Sequence, residues 1–338
     1  CLGLPGALPR LNIRAVEHGL KVAKALSMEV LEESEFARKN YFYPDLPKGY
    51  QITQYDKPLA VAGTVEIEDD EGHEKIVRIS RIHLEEDPGR LIHVAGGSGY
   101  SLVDYNRSGI PLLEIVTEPD LRSPQEARRF LNRLRAILEY LEVFDGEREG
   151  ALRVDANISI EGSERVEVKN ISSYKGVEKA LTFEVTRQRN LLRRGQKVGR
   201  ETRHFMEARG ITTSARSKEE EQDYRYFTEP DLRPFRVADL VTGIELPELP
   251  TARKERFMAE YGISLNHART LTGDPRLADF YEEVAYVDPF LAATWVADTL
   301  LGELNYRGMR ITDVPANRFI ELLALLRSGT ITDRVGVQ

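Results

Sequence analysis

The sequence predicts an α+β fold in two domains, with strands and helices over residues 1–247 and helices alone over residues 248–338. Three observations support this prediction. Short segments of alternating apolar and polar residues are separated by turn signals such as D-D-E-G-H (69–73) and A-G-G-S-G (95–99), which is typical of antiparallel strands. The prolines of L-P-E-L-P-T (246–251) interrupt any periodicity and indicate a boundary. Beyond them, apolar residues recur at helical spacing in short pieces.

The first domain begins with a helical pattern and continues with strands. Residues 13–30 place apolar side chains at helical spacing, which predicts a helix. The prolines and glycine of the next tract, R-K-N-Y-F-Y-P-D-L-P-K-G-Y-Q, exclude a long regular element. Further on, the alternating apolar residues change phase between Ile79 and Ile82, and this shift predicts a β-bulge near Ser80 and Arg81.

Two helices and a hairpin are expected next. The capping box S-P-Q-E (123–126) has proline at the first helical position and predicts a helix to about Leu141. The run A-L-R-V-D-A-N-I-S-I (151–160) alternates throughout, and with the turn E-G-S and the run R-V-E-V-K-N it predicts a β-hairpin. A helix is predicted over roughly 176–194, for which Gly195 is a suitable terminator.

Composition restricts the class of protein. The 338 residues include 47 basic and 55 acidic side chains, and the net charge of −8 argues against indiscriminate nucleic-acid binding while leaving room for a local basic patch. The single cysteine, Cys1, excludes an intrachain disulfide and favours a cytoplasmic protein. No apolar run approaches the roughly 20 residues that a membrane span requires. The opening tract C-L-G-L-P-G-A-L-P is typical of mid-chain sequence, so we expect the natural N-terminus to lie upstream.

Two carboxylates interrupt apolar strand patterns. Glu86 falls on the same predicted face as Ile82 and Leu84, and Glu114 lies within the apolar run I-P-L-L-E-I-V, whose composition predicts burial on both faces. A desolvated carboxylate is costly unless a cation or hydrogen-bond donors meet it. Two interpretations remain open at this point: a solvated acidic turn with a structural Glu–Arg pair, or a Mg²⁺ site that uses both carboxylates.

Further candidate residues line a predicted strand and a Pro-rich tract. The polar face of the 151–160 run presents Arg153, Asp155 and Asn157. These side chains could bind phosphate, a metal or a sugar, and the alternative is a solvated sheet face without a ligand. Lys39 and Lys48 flank aromatic residues and either stack on the surface or line a polar path.

The run T-R-Q-R-N-L-L-R-R-G-Q-K-V-G-R-E-T-R (186–203) holds seven basic residues and is either an RNA-backbone contact or a solvated helix face. Arg193, Arg194 and Lys197 are its candidate RNA contacts. By pattern, His83 is an ordinary strand residue, and the sequence contains no P-loop, G-x-G-x-x-G, H-E-x-x-H or G-x-S-x-G motif.

Several tracts together resemble the GatB family, whose members are subunits of tRNA-dependent amidotransferases. They are C-L-G-L-P-G-A-L-P, R-K-N-Y-F-Y-P-D-L-P-K-G-Y-Q, I-H-L-E-E-D, Y-N-R-S-G-I-P-L-L-E-I-V-T-E-P-D, R-V-D-A-N, E-V-K-N and D-Y-R-Y-F-T-E-P-D. These tracts cover most of residues 1–235, and the helical remainder resembles the family's middle domain less closely.

The resemblance implies a cradle-shaped first domain with an antiparallel sheet, similar to glutamine synthetase and guanido kinases. It implies a ligase that uses ATP and Mg²⁺ to phosphorylate the side-chain carboxylate of Asp or Glu mischarged on tRNA, after which ammonia displaces the phosphate. The amidase subunit GatA would release that ammonia from glutamine, and the small subunit GatC would complete a heterotrimer. By motif, Glu86 and Glu114 are the implied Mg²⁺ ligands, and Lys39 and Lys48 fall where the family has lysines along an ammonia tunnel.

The sequence departs from the family pattern in several places. The G-L-E-x-H segment, which supplies a further Glu and a His to the family's metal site, is not in this chain, so we expect an incomplete metal site. Cys1 matches the last cysteine of a C-P-x-C zinc motif without its partner ligands, which leaves structural zinc as one option. Thr228 replaces the usual proline of D-Y-R-Y-F-P-E-P-D, and we expect this to alter only a loop. The family's tail domain, which helps to recognise tRNA, is expected beyond Gln338.

Two other functions are compatible with parts of the sequence. A non-catalytic tRNA-binding or scaffold subunit of the same kind of complex has no reason to bury Glu86 and Glu114. A stand-alone carboxylate–amine ligase needs its own ammonia source, whereas the sequence has no glutaminase signature. The sequence therefore favours a subunit that receives ammonia from a partner.

Overall fold

The structure is a computed structural model that describes residues 2–93, 100–146, 148, 151–217 and 224–338. The proposed zinc ligand Cys1 and the turn predicted at 95–99 lie outside the described residues. Within the described ranges, no helix is both long enough and apolar enough to cross a membrane.

The chain divides into two compact units close to the boundary predicted at residue 247. The first unit comprises Cys1–Leu131 and Glu149–Glu245, and the second comprises Asn132–Arg148 and Leu246–Gln338. The segment Asn132–Arg148 therefore packs with the helical unit, although the sequence boundary assigns it to the first domain.

The first unit mixes helices with several small sheets. Its elements are α1 (Ile13–Ala25), β1 (Glu29–Val30), β2 (Glu33–Ser34), β3 (Ala37–Asn40), β4 (Tyr50–Thr53), β5 (Ala60–Glu68), β6 (Glu74–Glu86), β7 (Arg90–His93), β8 (Ser101–Asp104), β9 (Pro111–Thr117), the first part of α2 (Pro124–Tyr140), β10 (Val154–Ile158), β11 (Val166–Ile171), α3 (Tyr174–Arg193), β12 (Glu201–Met206), β13 (Ile211–Ser217), β14 (Phe227–Thr228), β15 (Phe235–Arg236) and α4 (Ala238–Val241). Strands pair in the orders β1-β5-β6-β9, β10-β11-β12-β13, β14-β3-β4, β15-β2 and β7-β8. Apart from parallel β11 and β12, the pairs within the described residues are antiparallel, which confirms the predicted α+β class.

Helix α1 lies against the β5–β6 sheet. Its inner residues, such as Val16 and Leu20, are fully buried. The approach is so close that a Cβ on Gly19 would lie 2.5 Å from Leu59 Cδ1. The predicted helix over residues 13–30 is wrong at its end, because Ser27 has a φ of 53° and Glu29–Val30 pairs with β5 as a strand.

The predicted β-bulge in β6 is confirmed, since the β6–β9 register shifts between Ile79 and Arg81. The predicted β10–β11 hairpin is also confirmed. Helix α3 ends at Arg193, and Gly195 follows at a φ of 73°, as the terminator prediction requires.

The capping box of α2 is partly as predicted. Ser123 Oγ accepts a hydrogen bond from Glu126 N at 3.0 Å, but Glu126 Oε2 accepts from Arg122 N at 2.7 Å, one residue before the expected donor. Glu126 Oε2 also lies 2.7 Å from Lys75 Nζ, which ties the start of the helix to β6. The helix ends at Tyr140, next to the predicted end.

The second unit is helical, as predicted. Besides the end of α2 it contains α5 (Pro250–Tyr261), α6 (Leu265–Leu271), α7 (Pro275–Val284), α8 (Pro289–Thr294), a π-helix (Trp295–Leu300), α9 (Leu301–Arg307), a 3-10 helix (Ile311–Asp313), α10 (Ala316–Arg327) and α11 (Asp333–Gly336). Its core includes Phe257, Tyr281 and Leu323, all fully buried. The end of α2 belongs to this unit because the Arg253 guanidinium lies 5.8 Å from the centroid of the Tyr140 ring.

Candidate metal centre

Three consecutive acids at and just after the end of β6 lie in three different surroundings: Glu85, Glu86 and Asp87. Strand alternation sends Glu85 to one face of the sheet and Glu86 to the other. Asp87 follows the strand, and its backbone is held by hydrogen bonds of 2.8 Å from Asp87 N to Ile110 O and from Gly109 N to Asp87 O. Strand β6 continues past Leu84 to Glu86, and none of the three acids is exposed, so the interpretation as a solvated turn is wrong.

His83, Glu85 and Glu114 form a cluster of potential metal ligands, which we term the metal cluster. The β6–β9 register places His83 directly opposite Glu114, and Glu85 lies two residues further on the same face. One ligand atom from each side chain lies within 4.8 Å of the other two. His83 Nε2 is 3.1 Å from Glu114 Oε2, and the two side chains are 4% and 50% exposed. The cluster thus has a buried base and a solvent-accessible carboxylate.

The two carboxylates of the metal cluster have opposite pKa shifts. Burial raises the pKa of Glu85, the charge of Glu114 raises it further, and Lys39 opposes both effects. The hydrogen bond from His83 is the main cause of the lowered pKa of Glu114. A divalent cation would relieve the repulsion between the two carboxylates, which is one of the causes of the raised pKa of Glu85.

The donor set also fits a metal. Two carboxylates are the number that Mg²⁺ typically takes from a protein while it keeps sites for water and phosphate. His83 holds Glu114 through Nε2, and among the described residues its buried Nδ1 has no hydrogen-bond partner. With Nε2 facing Glu114, the residues present are compatible with a divalent ion that also contacts oxygen ligands from a substrate.

Glu86 lies on the apolar face, as the strand alternation predicts, but a cation from the protein meets it there. Its carboxylate forms an ion pair with Lys48, and Oε1 accepts a hydrogen bond from Ile52 N at 2.9 Å. The neighbours Ile82 and Leu84 are buried. A buried ion pair with an added backbone donor is one of the few stable environments for a carboxylate on such a face.

The implied ligand pair Glu86 and Glu114 is not brought together. The β6–β9 register places their side chains on opposite faces of one sheet, and Glu85 takes the position beside Glu114. The expected burial of Glu114 on both faces is also wrong, because its side chain is half exposed and Leu112 and Val116 are only partly buried.

Asp87 holds two arginines near the metal cluster. It is 3% exposed, lies 3.0 Å from Arg107 Nη2 and also forms an ion pair with Arg153. The charge of Arg153 acts on Glu85, whose pKa it lowers against the effect of burial. The Arg153 side chain is 59% exposed and can reach an anionic ligand.

The other two residues of the predicted polar strand face have different surroundings. Asp155 Oδ2 is 2.6 Å from Lys169 Nζ, and Asn157 is exposed on β10. The structure therefore connects Arg153 with the cluster, while Asp155 is engaged by a neighbouring strand.

Comparison with known proteins decides the family. The sequence model of the GatB/GatE catalytic domain matches residues 1–242. The chain belongs to this family. A protein of Methanospirillum hungatei JF-1, named as the B-type subunit of an aspartyl/glutamyl-tRNA(Asn/Gln) amidotransferase, is 70% identical over 340 residues, which cover 100% of this chain and 72% of the relative. Proteins with the same name from Methanoregula boonei and Methanosarcina mazei are 67% and 56% identical, and this chain covers 71% and 73% of their lengths.

In this GatB/GatE chain, the two implied tunnel lysines have different surroundings. Lys39 Nζ lies 4.7 Å from the centroid of the Tyr224 ring, and its charge acts on both carboxylates of the metal cluster. Lys48 is paired with Glu86 and lies 4.7 Å from the centroid of the Tyr50 ring. Lys39 thus belongs with the metal cluster and Lys48 with the opposite face of the sheet.

The basic segment of the GatB/GatE chain separates into structural and exposed cations. Arg187 and Arg203 lie 2.9 Å and 3.0 Å from carboxylate oxygens of Glu184, whose side chain is fully buried. Their role is to neutralise that carboxylate. Four other cations of the segment are exposed: Arg189, Arg193, Arg194 and Lys197. We term the last three, which lie at and just after the end of α3, the basic turn.

Sequence reasoning missed His83, Glu85 and Asp87. A signal was present, because Arg81, His83 and Glu85 place polar side chains at alternate positions opposite the apolar face. What the sequence lacked was the register that sets Glu114 beside them.

Proposed function

We propose that this chain is the activating subunit of a tRNA-dependent amidotransferase, a carbon–nitrogen ligase. Its substrate is the side-chain carboxylate of Asp or Glu mischarged on tRNA, and it uses ATP and Mg²⁺. The observation that carries the proposal is the metal cluster with Lys39 and Arg153 acting on it, in a chain whose relatives are named amidotransferase subunits.

The chemistry requires activation because a carboxylate has no better leaving group than oxide. A carboxylate oxygen attacks the γ-phosphorus of ATP, the bond to the bridging oxygen breaks, and ADP leaves. Ammonia then attacks the acyl carbon and loses a proton, while phosphate departs with the electrons of the C–O bond. The products are Asn-tRNA(Asn) or Gln-tRNA(Gln), ADP and phosphate.

Each residue of the site has a defined task in this proposal. Glu85 and Glu114 supply carboxylate oxygens to Mg²⁺, and His83 orients Glu114 from the buried side. When bound, the metal neutralises phosphate oxygens during transfer. Lys39 and Arg153 add positive charge that positions anionic groups, and Asp87 holds Arg153 in place.

The proposal needs partners because ammonia must come from elsewhere. We assign its release to the amidase subunit GatA, with the small subunit GatC completing a heterotrimer. Lys39 and Lys48 are proposed to lie along the ammonia path, and the basic turn to contact the tRNA backbone.

The test is ATP cleavage by the reconstituted heterotrimer with Asp-tRNA(Asn) and Glu-tRNA(Gln) supplied in turn. Glu85→Gln should lower the tRNA-dependent rate at least about 100-fold, since even an outer-shell change at a metal site costs up to that factor. Glu66→Gln, an exposed carboxylate on β5, is the matched control and should leave the rate unchanged. If the wild-type complex binds both tRNAs but cleaves no ATP with either, the chain is a non-catalytic tRNA-binding scaffold instead.

A further inference from the structure

The segment between β3 and β4 carries one carboxylate, Asp45, close to the end of β6. Its backbone is bonded to the segment between β6 and β7, because Gly89 N donates a hydrogen bond to Asp45 O at 2.9 Å. Tyr105 Oη donates to the preceding carbonyl, that of Pro44, at 3.0 Å. The approach is close, since a Cβ on Gly89 would lie 3.0 Å from Asp45 O. These contacts fix Asp45 beside the segment that follows Asp87.

Charged and polar groups of the proposed active site lie around Asp45. The guanidinium of Arg153, which acts on Glu85 of the metal cluster, also acts on Asp45. Burial raises the pKa of the Tyr41 hydroxyl, and the charges of Asp45 and Glu85 raise it further. Asp45 and the metal cluster therefore face a common region that contains Arg153 and Tyr41.

The other acids of this region are already engaged. Glu86 and Asp87 form ion pairs with lysine and arginine side chains. Glu85 and Glu114 are the metal ligands of the proposed function. Asp45 differs from them, because its Oδ1 is buried and accepts no hydrogen bond from any residue that the structure describes. A buried acceptor without a donor is rare in a folded protein, and a ligand that donates an N–H would satisfy it.

The surroundings of Asp45 also make it a stronger base than an exposed aspartate. Burial raises the pKa of its carboxyl, and the charge of Asp87 adds to that effect. Its own backbone N–H and the charge of Arg153 oppose the rise without cancelling it. A general base is more effective when its pKa lies closer to the working pH. The acceptor that lacks a donor is thus also suited to receive a proton.

The second step of the proposed reaction needs such a group. Ammonia attacks the acyl carbon with its lone pair, so its nitrogen becomes positively charged and holds one proton more than the amide product. Lys39 and Arg153 cannot take that proton, because ammonium and guanidinium groups are donors only. The carboxylates on the metal are poor bases while they coordinate a cation.

We propose that Asp45 is a catalytic residue of the amidation step and that its Oδ1 accepts a hydrogen bond, and then a proton, from the attacking ammonia. The nitrogen lone pair forms the bond to the acyl carbon, the bond from that carbon to the phosphate oxygen breaks, and phosphate departs with its electron pair. One proton passes from nitrogen to Asp45 and then to solvent, which leaves the neutral amide. This inference rests on the proposed function, whose activation step does not use Asp45.

The experiment separates activation from amidation in the reconstituted heterotrimer. ADP formation in a single turnover with mischarged tRNA measures activation. Amide formation from added ammonium chloride measures amidation without the release of ammonia from glutamine. Hydroxylamine is the second nucleophile, and because it is a weaker base than ammonia, its adduct loses a proton to water more readily and depends less on a protein base.

Three variants are compared with the wild-type complex. Asp45→Asn removes the base at nearly constant shape, and Asp45→Glu restores a carboxylate on a longer side chain. Asp56→Asn is the matched control, because Asp56 is an exposed aspartate of the same unit.

We expect Asp45→Asn to lower the rate of amide formation from ammonia at least about 100-fold, the lower end of the usual contribution of a general base. ADP formation should stay at the wild-type rate, and hydroxamate formation from hydroxylamine should fall much less than amide formation. Asp45→Glu should recover part of the amidation rate, and Asp56→Asn should match the wild type in all three assays.

An unchanged rate of amide formation in Asp45→Asn would overturn the assignment. Equal losses with ammonia and hydroxylamine, or a matching loss of ADP formation, would overturn it as well, because a structural role impairs these steps alike. In each of these cases ADP formation by the wild-type complex would still support the proposed function. A wild-type complex that forms no ADP with either mischarged tRNA would refute the proposed function, and this inference with it.

Discussion

A comparison of two adjacent glutamates tests the geometry of the metal cluster. Glu85→Gln removes a carboxylate from the cluster, whereas Glu86→Gln removes one from the ion pair with Lys48 on the opposite face. The substitutions are chemically identical and one residue apart, so each serves as the control for the other. We expect Glu85→Gln to weaken metal binding with little effect on stability, and Glu86→Gln to lower stability with metal binding retained.

The magnitude for Glu86→Gln follows from the burial of its ion pair. The side chains of Lys48 and Glu86 are 9% and 14% exposed, and loss of one partner of such a pair costs about 3–5 kcal/mol. The new amide oxygen can still accept the hydrogen bond from Ile52 N, which retains about 1 kcal/mol. The expected loss of unfolding free energy is therefore about 2–4 kcal/mol.

The magnitude for Glu85→Gln follows from its environment. Burial and the charge of Glu114 both raise the pKa of Glu85, so the ionised form of Glu85 does not stabilise the fold. Its replacement by neutral glutamine should therefore change the unfolding free energy by less than about 1 kcal/mol. Removal of one of two carboxylate ligands should weaken the affinity for a divalent ion by roughly 100-fold or more.

Calorimetric titration with Mg²⁺ and Mn²⁺ measures the affinity, and urea unfolding followed by far-ultraviolet circular dichroism measures the stability. Loss of metal binding in Glu86→Gln with normal binding in Glu85→Gln would refute the assignment by strand register and restore Glu86 as the ligand. Equal loss of metal binding in both variants would refute the separation of the two faces.

Three further predictions concern packing, pH and RNA. Gly19→Ala should lower the free energy of unfolding in urea by about 1–3 kcal/mol, because the new Cβ would lie 2.5 Å from Leu59 Cδ1. Gly199→Ala is the control and should leave the stability unchanged, because no atom lies within 4 Å of its new Cβ. The hydrogen bonds from Arg78 lower the pKa of Asp120 to about 2 in the folded protein, compared with roughly 4 in the unfolded chain. The ionised carboxylate therefore stabilises the fold fully above about pH 4, and this stabilisation is lost as the pH falls from about 4 towards 2. Asp120→Asn should therefore flatten the acid-unfolding curve in that window, and an unchanged curve would contradict the assignment. Replacement of the three residues of the basic turn by alanine should make the plot of the logarithm of tRNA affinity against the logarithm of salt concentration less steep, by up to about 2 in slope. An unchanged slope would exclude a phosphate contact.

Local patterns predicted much of the first unit. The termination of α3 before Gly195, the β10–β11 hairpin and the bulge in β6 each depend on a few neighbouring residues, so the sequence contains the information. The end of α1 shows the limit of such reasoning. Helical spacing continues through residue 30, but Glu29–Val30 pairs with β5 as a strand. The stabilisation from this pairing comes from a strand that is distant in sequence, so the local pattern does not show it.

The sequence by itself determined that Glu86 shares a face with Ile82 and Leu84, because alternation within one strand is a local property. Only the tertiary structure decided what each acid meets. The β6–β9 register sets Glu114 beside His83 and Glu85, and the close approach of Lys48 gives Glu86 an ion pair. The physical reason is that alternation specifies two faces of a strand, whereas the partners across each face come from chain segments whose register no local pattern encodes.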